Sequence, residues 1–372
     1  PNESRPLARL LAGRVDEAHL LWLGDRRDVP GGCGARLIVA ADGSGELIDD
    51  DGSTSVAWHG LDSALATRVA CWLAPFDDPE LDDADVRLPT TVSLRDLLDA
   101  TAADGALAQR WDRATTATLP MTVGVDADGP HVIDLVVDGP HALAAGTTGA
   151  GKSELLRTLV VSAAAALPPE LVSFVLVDFK GGGAFDAVAA LPHVAAVVTD
   201  LDPSEASRAL RGLRAELLDR EHRLRDMACS DVSDVDRTHP RAFGRMVVVV
   251  DEFAALADEL PDFLDGLVDI ARRGRSLGVH LILATQRPSG VVTGQIRANT
   301  NLRVCLRVQD RADSADVLGR PDAAKLPAVP GRAIVQRGGG AHTLVQVAQI
   351  DAPTCSDMVD LFTVHPKVPV PA

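Results

Sequence analysis

The chain has 372 residues, with 53 Asp+Glu against 36 Lys+Arg and a formal charge of −17. Apolar residues make up 46% and aromatics 3%, with no tyrosine, so an aliphatic core must close the fold and disorder is excluded for most of the chain. The acidic balance argues against holding nucleic acid or anionic lipid through net charge, leaving local basic patches as the route to either.

The cysteines Cys33, Cys71, Cys229, Cys305 and Cys355 are scattered without CxxC or CxxH spacing, which suggests neither zinc nor a disulfide framework and fits a reducing compartment. No window approaches about 18 consecutive apolar residues, and the chain opens on Pro1 without a basic-then-apolar leader, so a piece cut from a longer protein is expected.

In chain order, strands are expected at Ala18–Leu23 and Ala35–Ala40, a third short one after Asp42-Gly43, then a helix over Leu61–Leu73. The acidic run Asp77–Asp83, broken by Pro79, reads as a linker and divides a smaller α/β segment, 1–85, from a main domain, 86–372. Beyond it, Leu119–Val123 and Val132–Val137 alternate as a hairpin around Asp126–Pro130. Strand His141–Ala145 leads through a glycine-rich loop into helix Ser153–Ala166, and strand Val172–Val177 leads into Gly181-Gly182-Gly183 and a short helix. A long amphipathic helix runs from Pro203 to near Met227, with Ala206, Ala209, Leu210, Leu213, Leu217 and Leu224 on one face. Strand Met246–Val250, helix Pro261–Ser276 and strand Val279–Ala284 complete the alternation.

This order predicts an α/β fold with a mostly parallel sheet flanked by helices, in which Val247–Val250 is the apolar run of a strand buried on both faces. Ala18–Gly24 also lines up with Val279–Thr285, each followed by a strand near Arg36 or Arg303 and a glycine-led strand at Gly45 or Gly331. That echo makes the first 80 or so residues the end of a related upstream domain; shared composition of two β-rich segments explains it equally well.

Gly146-Thr147-Thr148-Gly149-Ala150-Gly151-Lys152-Ser153 is a full G-x-x-x-x-G-K-S between an apolar strand and a helix. Its glycines let successive N–H groups turn inward around phosphate, Lys152 brings a cation to the β- and γ-phosphates, and Ser153 offers a hydroxyl to magnesium. Glu154 follows directly and is counted with the nucleotide-contacting residues; ATP and Mg2+ are the expected ligands.

Hydrolysis needs acids at a second strand end, supplied by Asp251-Glu252: Asp251 to hold magnesium through water, Glu252 to polarise the attacking water as general base. Capping of the following helix is the plainer use for such a pair. Gln286, after strand Val279–Ala284, is the candidate sensor of the γ-phosphate, with a polar strand-to-loop turn as the alternative. Asp178 and Lys180 reach the same sheet edge, either to line the site or a ring interface or to cap the next helix as a salt bridge.

Arg272, Arg273, Arg275, Arg287, Arg297, Arg303, Arg307, Arg311 and Arg320 crowd one third of a chain that has only the lysines Lys152, Lys180, Lys325 and Lys367. They suggest an interface that reads phosphate or carboxylate, with a trans-acting arginine finger among them, or else solvated surface. His193 is expected in a loop or core, and Trp111 to pack the linker region onto the main domain. No aromatic platform for single-stranded nucleic acid is visible.

Taken together, GTTGAGKSELLRTLV from Gly146, VDFKGGGAF from Val177, LPHVAAVVTDLD from Leu191, VVVVDEFAAL from Val247, GRSLGVHLILATQRPSGVV from Gly274 and the block from Asn299 to Ala333 resemble the FtsK/SpoIIIE group of P-loop ATPases. Within it the chain is most similar to the EccC/EssC coupling ATPases of type VII secretion, from about Leu88 to Val347. The resemblance implies a RecA-like P-loop domain working with other copies of itself in a ring, expected to be a hexamer, that hydrolyses ATP to move a polymer.

In the secretion branch that polymer is a protein, often a small helical-hairpin pair with a C-terminal signal; in the FtsK branch it is double-stranded DNA. Phe179-Lys180-Gly181-Gly182, Val308–Arg311 and Pro321–Ala324 favour the secretion branch. The implied partners are secretion substrate proteins and membrane secretion components, at the cytoplasmic side of the bacterial cell membrane. A DNA translocase is the alternative, and a low-turnover ATP-binding regulatory module is a third reading. DNA translocases of the group carry an arginine in an S-R-T-I-L stretch where this chain has Ser314-Ala315-Asp316-Val317-Leu318, so Arg311 or a neighbour substitutes or the ring completes its site differently. With Gly146–Ser153, Asp251, Glu252 and Gln286 all present, a competent site is expected.

Overall fold

The computed structural model describes residues 36–39, 44–49, 52–57, 88–98, 106–179, 183–199, 203–338, 340 and 342–350. The strand expected at Ala18–Leu23, the helix at Leu61–Leu73, the linker at Asp77–Asp83 and Lys180-Gly181-Gly182 lie outside these residues. By contacts the chain divides into two compact units, Pro1–Asp85 and Val86–Ala372.

In the first unit, β1 (Arg36–Val39), β2 (Ser44–Asp49) and β3 (Gly52–Ala57) form an antiparallel meander, and β3 is one strand more than expected there.

The second unit is built on ten strands: β4 (Pro120–Asp126), β5 (Gly129–Asp134), β6 (His141–Ala145), β7 (Val172–Asp178), β8 (Val194–Thr199), β9 (Arg245–Asp251), β10 (Val279–Thr285), β11 (Leu302–Leu306), β12 (Arg332–Arg337) and β13 (His342–Val347). They form one sheet in the order β5-β4-β13-β12-β11-β6-β10-β9-β7-β8. From β11 to β8 all pairings are parallel, and from β11 to β5 all are antiparallel. The meander β11-β12-β13 thus repeats the connectivity of β1-β2-β3.

Why the central strands read as unbroken apolar runs is clear from the two faces. Ala142, Ala144, Val247, Val249, Ile282 and Ala284 pack in one core with Leu155, Leu156 and Leu159 of the helix Lys152–Ala166. Their neighbours Leu143, Ala145, Val248, Val250, Leu281 and Leu283 pack in the other, with Leu210, Leu213 and Leu217 of the helix Pro203–Asp226 and Leu267 and Ile270 of the helix Pro261–Leu277. Each fully buried Val or Leu contributes roughly 1.5–3 kcal/mol, so a sheet covered on both faces leaves no position for polar alternation. Pro261 begins its helix and Gly278, at φ 69, ends it, as the asymmetry of helix ends requires.

Several boundaries differ from expectation for local reasons. The second hairpin strand stops at Asp134 rather than Val137, because the Asp134 carboxylate accepts the N–H groups of Leu119, Val136 and Val137 at 3.1, 2.8 and 3.2 Å and folds the chain into turns. No helix follows Gly183; residues 184–191 run as turns, and the Asp178 carboxylate accepts the Ala184 N–H at 3.0 Å. Trp111 sits inside the helix Ala106–Arg113, buried, with Nε1 donating to Ala164 O at 3.1 Å and its ring edge-on to His193, so it fastens this helix to the end of Lys152–Ala166.

Segments 92–94 and 349 lie together in a parallel bridge. Leu94 N donates to Gln349 O at 3.0 Å and Gln349 N donates to Val92 O at 2.8 Å. Among the described residues no helix is long and apolar enough to cross a membrane.

Three buried histidines set an acid limit on stability. His141 bonds Ala271 O and the Leu281 N–H, His193 bonds Leu167 O, and His280 bonds Pro140 O. Burial lowers them from 6.5 to about 4, about 4 and about 3 respectively. A depressed folded pKa leaves stability intact above 6.5 and removes it as the unfolded chain gains protons below that, by about 2 kcal/mol per histidine at pH 5. Urea unfolding at pH 7.5 and 5.0 is therefore expected to show a smaller acid loss in His141→Gln than in the parent; an identical loss would contradict the assignment.

Candidate nucleotide site

The parallel strands end at one edge, and β6 is where the order turns: the chain crosses from β6 to β7 on one side, while β11 lies on the other. Ligands bind at such switch points, and here the loop after β6 is Gly146–Gly151. Gly146 N donates to Thr285 O at 3.3 Å, while Thr147 N and Oγ1 both reach Arg307 O, at 3.1 and 3.2 Å. These bonds tie the loop to the ends of both neighbouring strands. Gly149 and Gly151 have φ of 80° and 101°, the left-handed region that turns successive N–H groups toward one centre.

The two glycines differ in their surroundings. A Cβ at Gly151 would stand 2.9 Å from Gly331 N, a backbone atom, whereas one at Gly149 would meet nothing within 4 Å. Gly151→Ala is expected to abolish nucleotide binding by displacing the loop, and Gly149→Ala to weaken it less, at about 1–2 kcal/mol of backbone strain. Titration of a fluorescent ATP analogue ranks the two; equal affinities would overturn the reading.

Lys152 opens the helix and is only 5% exposed. Its Nζ contacts Asp251 Oδ1 and lies 2.8 Å from Glu252 Oε1. Burial raises the Asp251 carboxyl above the usual 3.8, Lys152 opposes that shift and Glu252 adds to it. Glu252 has φ 57 and ψ 43, one of two described non-glycine residues with positive φ, and it makes no side-chain cap to the helix Phe253–Glu259. Capping does not explain this acid. A left-handed glutamate costs about 1–3 kcal/mol, a strain typical of sites that must aim a side chain.

β10 separates β6 from β9, so Gln286 emerges between the loop and Asp251. Its Oε1 accepts the Thr148 hydroxyl at 2.6 Å and its N–H points to Glu252 Oε2 at 3.5 Å. Ser153 follows Lys152 in the first helical turn and is half-buried. The carboxylate of Glu154 turns elsewhere: Oε1 accepts the Ile350 N–H at 2.5 Å and Oε2 pairs with Arg157. What Glu154 offers a phosphate is its backbone N–H in the first helical turn. Asp178 faces Asp251 in the β7–β9 register but holds the turn at Ala184.

The arginines divide. Arg303 donates to Thr300, Val317 and Arg297 carbonyls, and Arg273, Arg297 and Arg320 pair with Glu221, Asp316 and Asp322. Arg287, Arg307 and Arg311 are exposed just past the strand ends that carry the site. Sequence reading missed the turn at Pro330–Gly331, whose N–H holds Ala150 O at 2.8 Å. The Pro-Gly pair signals a turn but not its place behind the phosphate loop.

Comparison with known proteins gives the family. Residues 104–290 match the FtsK/SpoIIIE family. The type VII secretion system protein EssC of Staphylococcus aureus (strain NCTC 8325 / PS 47) is 44% identical over 208 residues, 54% of this chain and 14% of EssC. The cytoplasmic domain of the Thermomonospora curvata type VII secretion ATPase EccC superposes with a TM-score of 0.69 at 33% identity, over 75% of this chain and 35% of that one. ATPases 2 and 3 of the same EccC, in complex with a signal sequence peptide, give a TM-score of 0.59 at 28% identity, over 67% of this chain and 48% of that one. The chain spans a small fraction of EssC's length, and it belongs to the FtsK/SpoIIIE family, whose P-loop ATPase domain it carries.

Proposed function

We propose that this chain is the ATP-hydrolysing motor domain of a membrane-associated, type VII-like protein secretion system. The observation that carries the reading is the meeting of Lys152, Asp251, Glu252 and Gln286 beside the Gly146–Gly151 loop. In the structure Lys152 is shared between the two acids; an arriving triphosphate competes for it and frees Glu252 to accept a proton from water. Gln286, bonded to Thr148 on one side and placed against Glu252 on the other, reports the γ-phosphate to both. Magnesium, when bound, neutralises charge on the β- and γ-phosphates; the hydroxyl of Ser153 and the carboxylate of Asp251 are hard oxygen donors suited to it.

The same reading assigns the polymer to a small helical protein with a C-terminal signal, supported by the signal peptide bound to EccC ATPases 2 and 3. It makes other copies of the chain the ring partners, expected to be six, with Arg287, Arg307 and Arg311 as candidates for the trans-acting arginine. Residues 1–85 end a preceding ATPase-like domain, supported by the repeated meander, and the domain works at the cytoplasmic face of the membrane beside other secretion components.

The test is ATP hydrolysis across a wide range of protein concentration, with and without double-stranded DNA. Turnover that rises with concentration and ignores DNA supports the secretion motor. Stimulation by DNA would replace it with a translocase, and tight ATP binding without turnover at any concentration would replace it with a regulatory module.

A further inference from the structure

Behind the phosphate loop, away from the acids, lies a buried polar chain that the hydrolytic site does not use. Gln346 on β13 is 2% exposed, and its carboxamide works in both directions. Its Nε2 donates to Pro330 O at 2.9 Å and its Oε1 accepts from Arg332 Nε at 3.0 Å. Arg332, also buried, donates onward to Leu88 O and Pro89 O at 3.0 and 3.2 Å.

The turn so held, Pro330–Gly331, fits its place closely. Gly331 has φ 81, and a Cβ there would stand 2.7 Å from Gln346 Nε2. Its carbonyl accepts the Val347 N–H at 2.8 Å, and its own N–H donates to Ala150 O at 2.8 Å. The same nitrogen stands 2.9 Å from the position a Cβ of Gly151 would take. Gly331 therefore touches the loop at the two residues immediately before Lys152.

We propose that Gln346 is a positioning residue for nucleotide binding: its carboxamide, fixed by Arg332, seats the Pro330–Gly331 turn against Ala150 and Gly151 and so holds the phosphate loop in its receiving shape. This rests on the reading of Gly146–Ser153 as the phosphate site. The Gln346–Pro330 bond is half-buried and is the side-chain hydrogen bond that fixes the turn from β13, so the turn is expected to shift once Gln346 is lost.

The test uses the full chain and two variants. Gln346→Leu removes both bonds; Gln346→Glu keeps an acceptor for Arg332 but sets an oxygen against Pro330 O. Both are expected to weaken binding of a fluorescent, non-hydrolysable ATP analogue by about tenfold. Both are also expected to speed amide exchange at Gly149–Ser153 while leaving β9 unchanged. A role in stability alone would lower the unfolding midpoint without altering the affinity of the folded protein. If Gln346→Leu does not fold, Gln346→Glu decides. Parent-like affinity and exchange in a folded variant would overturn the positioning role. Failure of the parent itself to bind the analogue would instead bring down the phosphate-site reading, and this role with it.

Discussion

Glu252→Gln is expected to bind ATP within about twofold of the parent and to hydrolyse it at least about 100-fold more slowly, the usual scale of a positioned general base. The amide has the shape of the acid and keeps an oxygen for Lys152, 2.8 Å away, so the phosphate pocket stays formed. It cannot take a proton from water. The helix after Glu252 receives no side-chain cap from it, so the change removes chemistry rather than a helix start. Phosphate release at saturating ATP, in the concentration range where the parent turns over, measures the effect; parent-like turnover would remove Glu252 from the role.

Lys152→Ala carries the other large effect, in binding and in stability together. Loss of the cation that meets the β- and γ-phosphates is expected to weaken ATP binding beyond about 100-fold, taking a buried charged pairing as worth about 3–5 kcal/mol when broken. The same change leaves Asp251 and Glu252, 4% and 5% exposed, with no shared cation. Burial already lifts Asp251 above 3.8, and removal of the opposing lysine lifts it further. A carboxyl whose folded pKa is raised binds its proton more tightly when folded, so the penalty is absent at low pH and grows as pH rises through 3.8 toward the folded value. The stability deficit of Lys152→Ala relative to the parent should therefore be larger at pH 7.5 than at pH 5.0, read by urea unfolding of both proteins. A deficit independent of pH would show that the two acids do not depend on Lys152.

Much of this architecture was legible in the sequence because it is local. Val247–Val250 is apolar on both faces, His141–Ala145 runs straight into a glycine loop, and the Leu210–Leu217 stripe has helical spacing. What escaped depends on neighbours far along the chain or on weak local signals. Strand β8 is a largely exposed edge of alanine and valine, without the alternation of a half-buried strand. The helix Phe253–Glu259 starts without a capping side chain, the local signal that would have marked its start. The turn after Gly183 is held by Asp178, where a short helix was expected. Of the site, the residues that follow strand ends could be named from motif and order. The support at Gly331 and Gln346 could not, since it exists only once β12 and β13 pair and lie beside the loop.

The join of Val92 and Leu94 with Gln349 has a mechanical side. Segments 92–94 and 349 meet in one parallel bridge, so tension between them loads this join before it reaches the strands of the sheet. The join is also fastened to the helix behind the phosphate loop, through Ala348 O to Thr158 and Ile350 N to Glu154. A pull on this join would be felt first by the helix that carries Lys152, so the anchoring of the unit's edge and its hold on nucleotide share one set of hydrogen bonds.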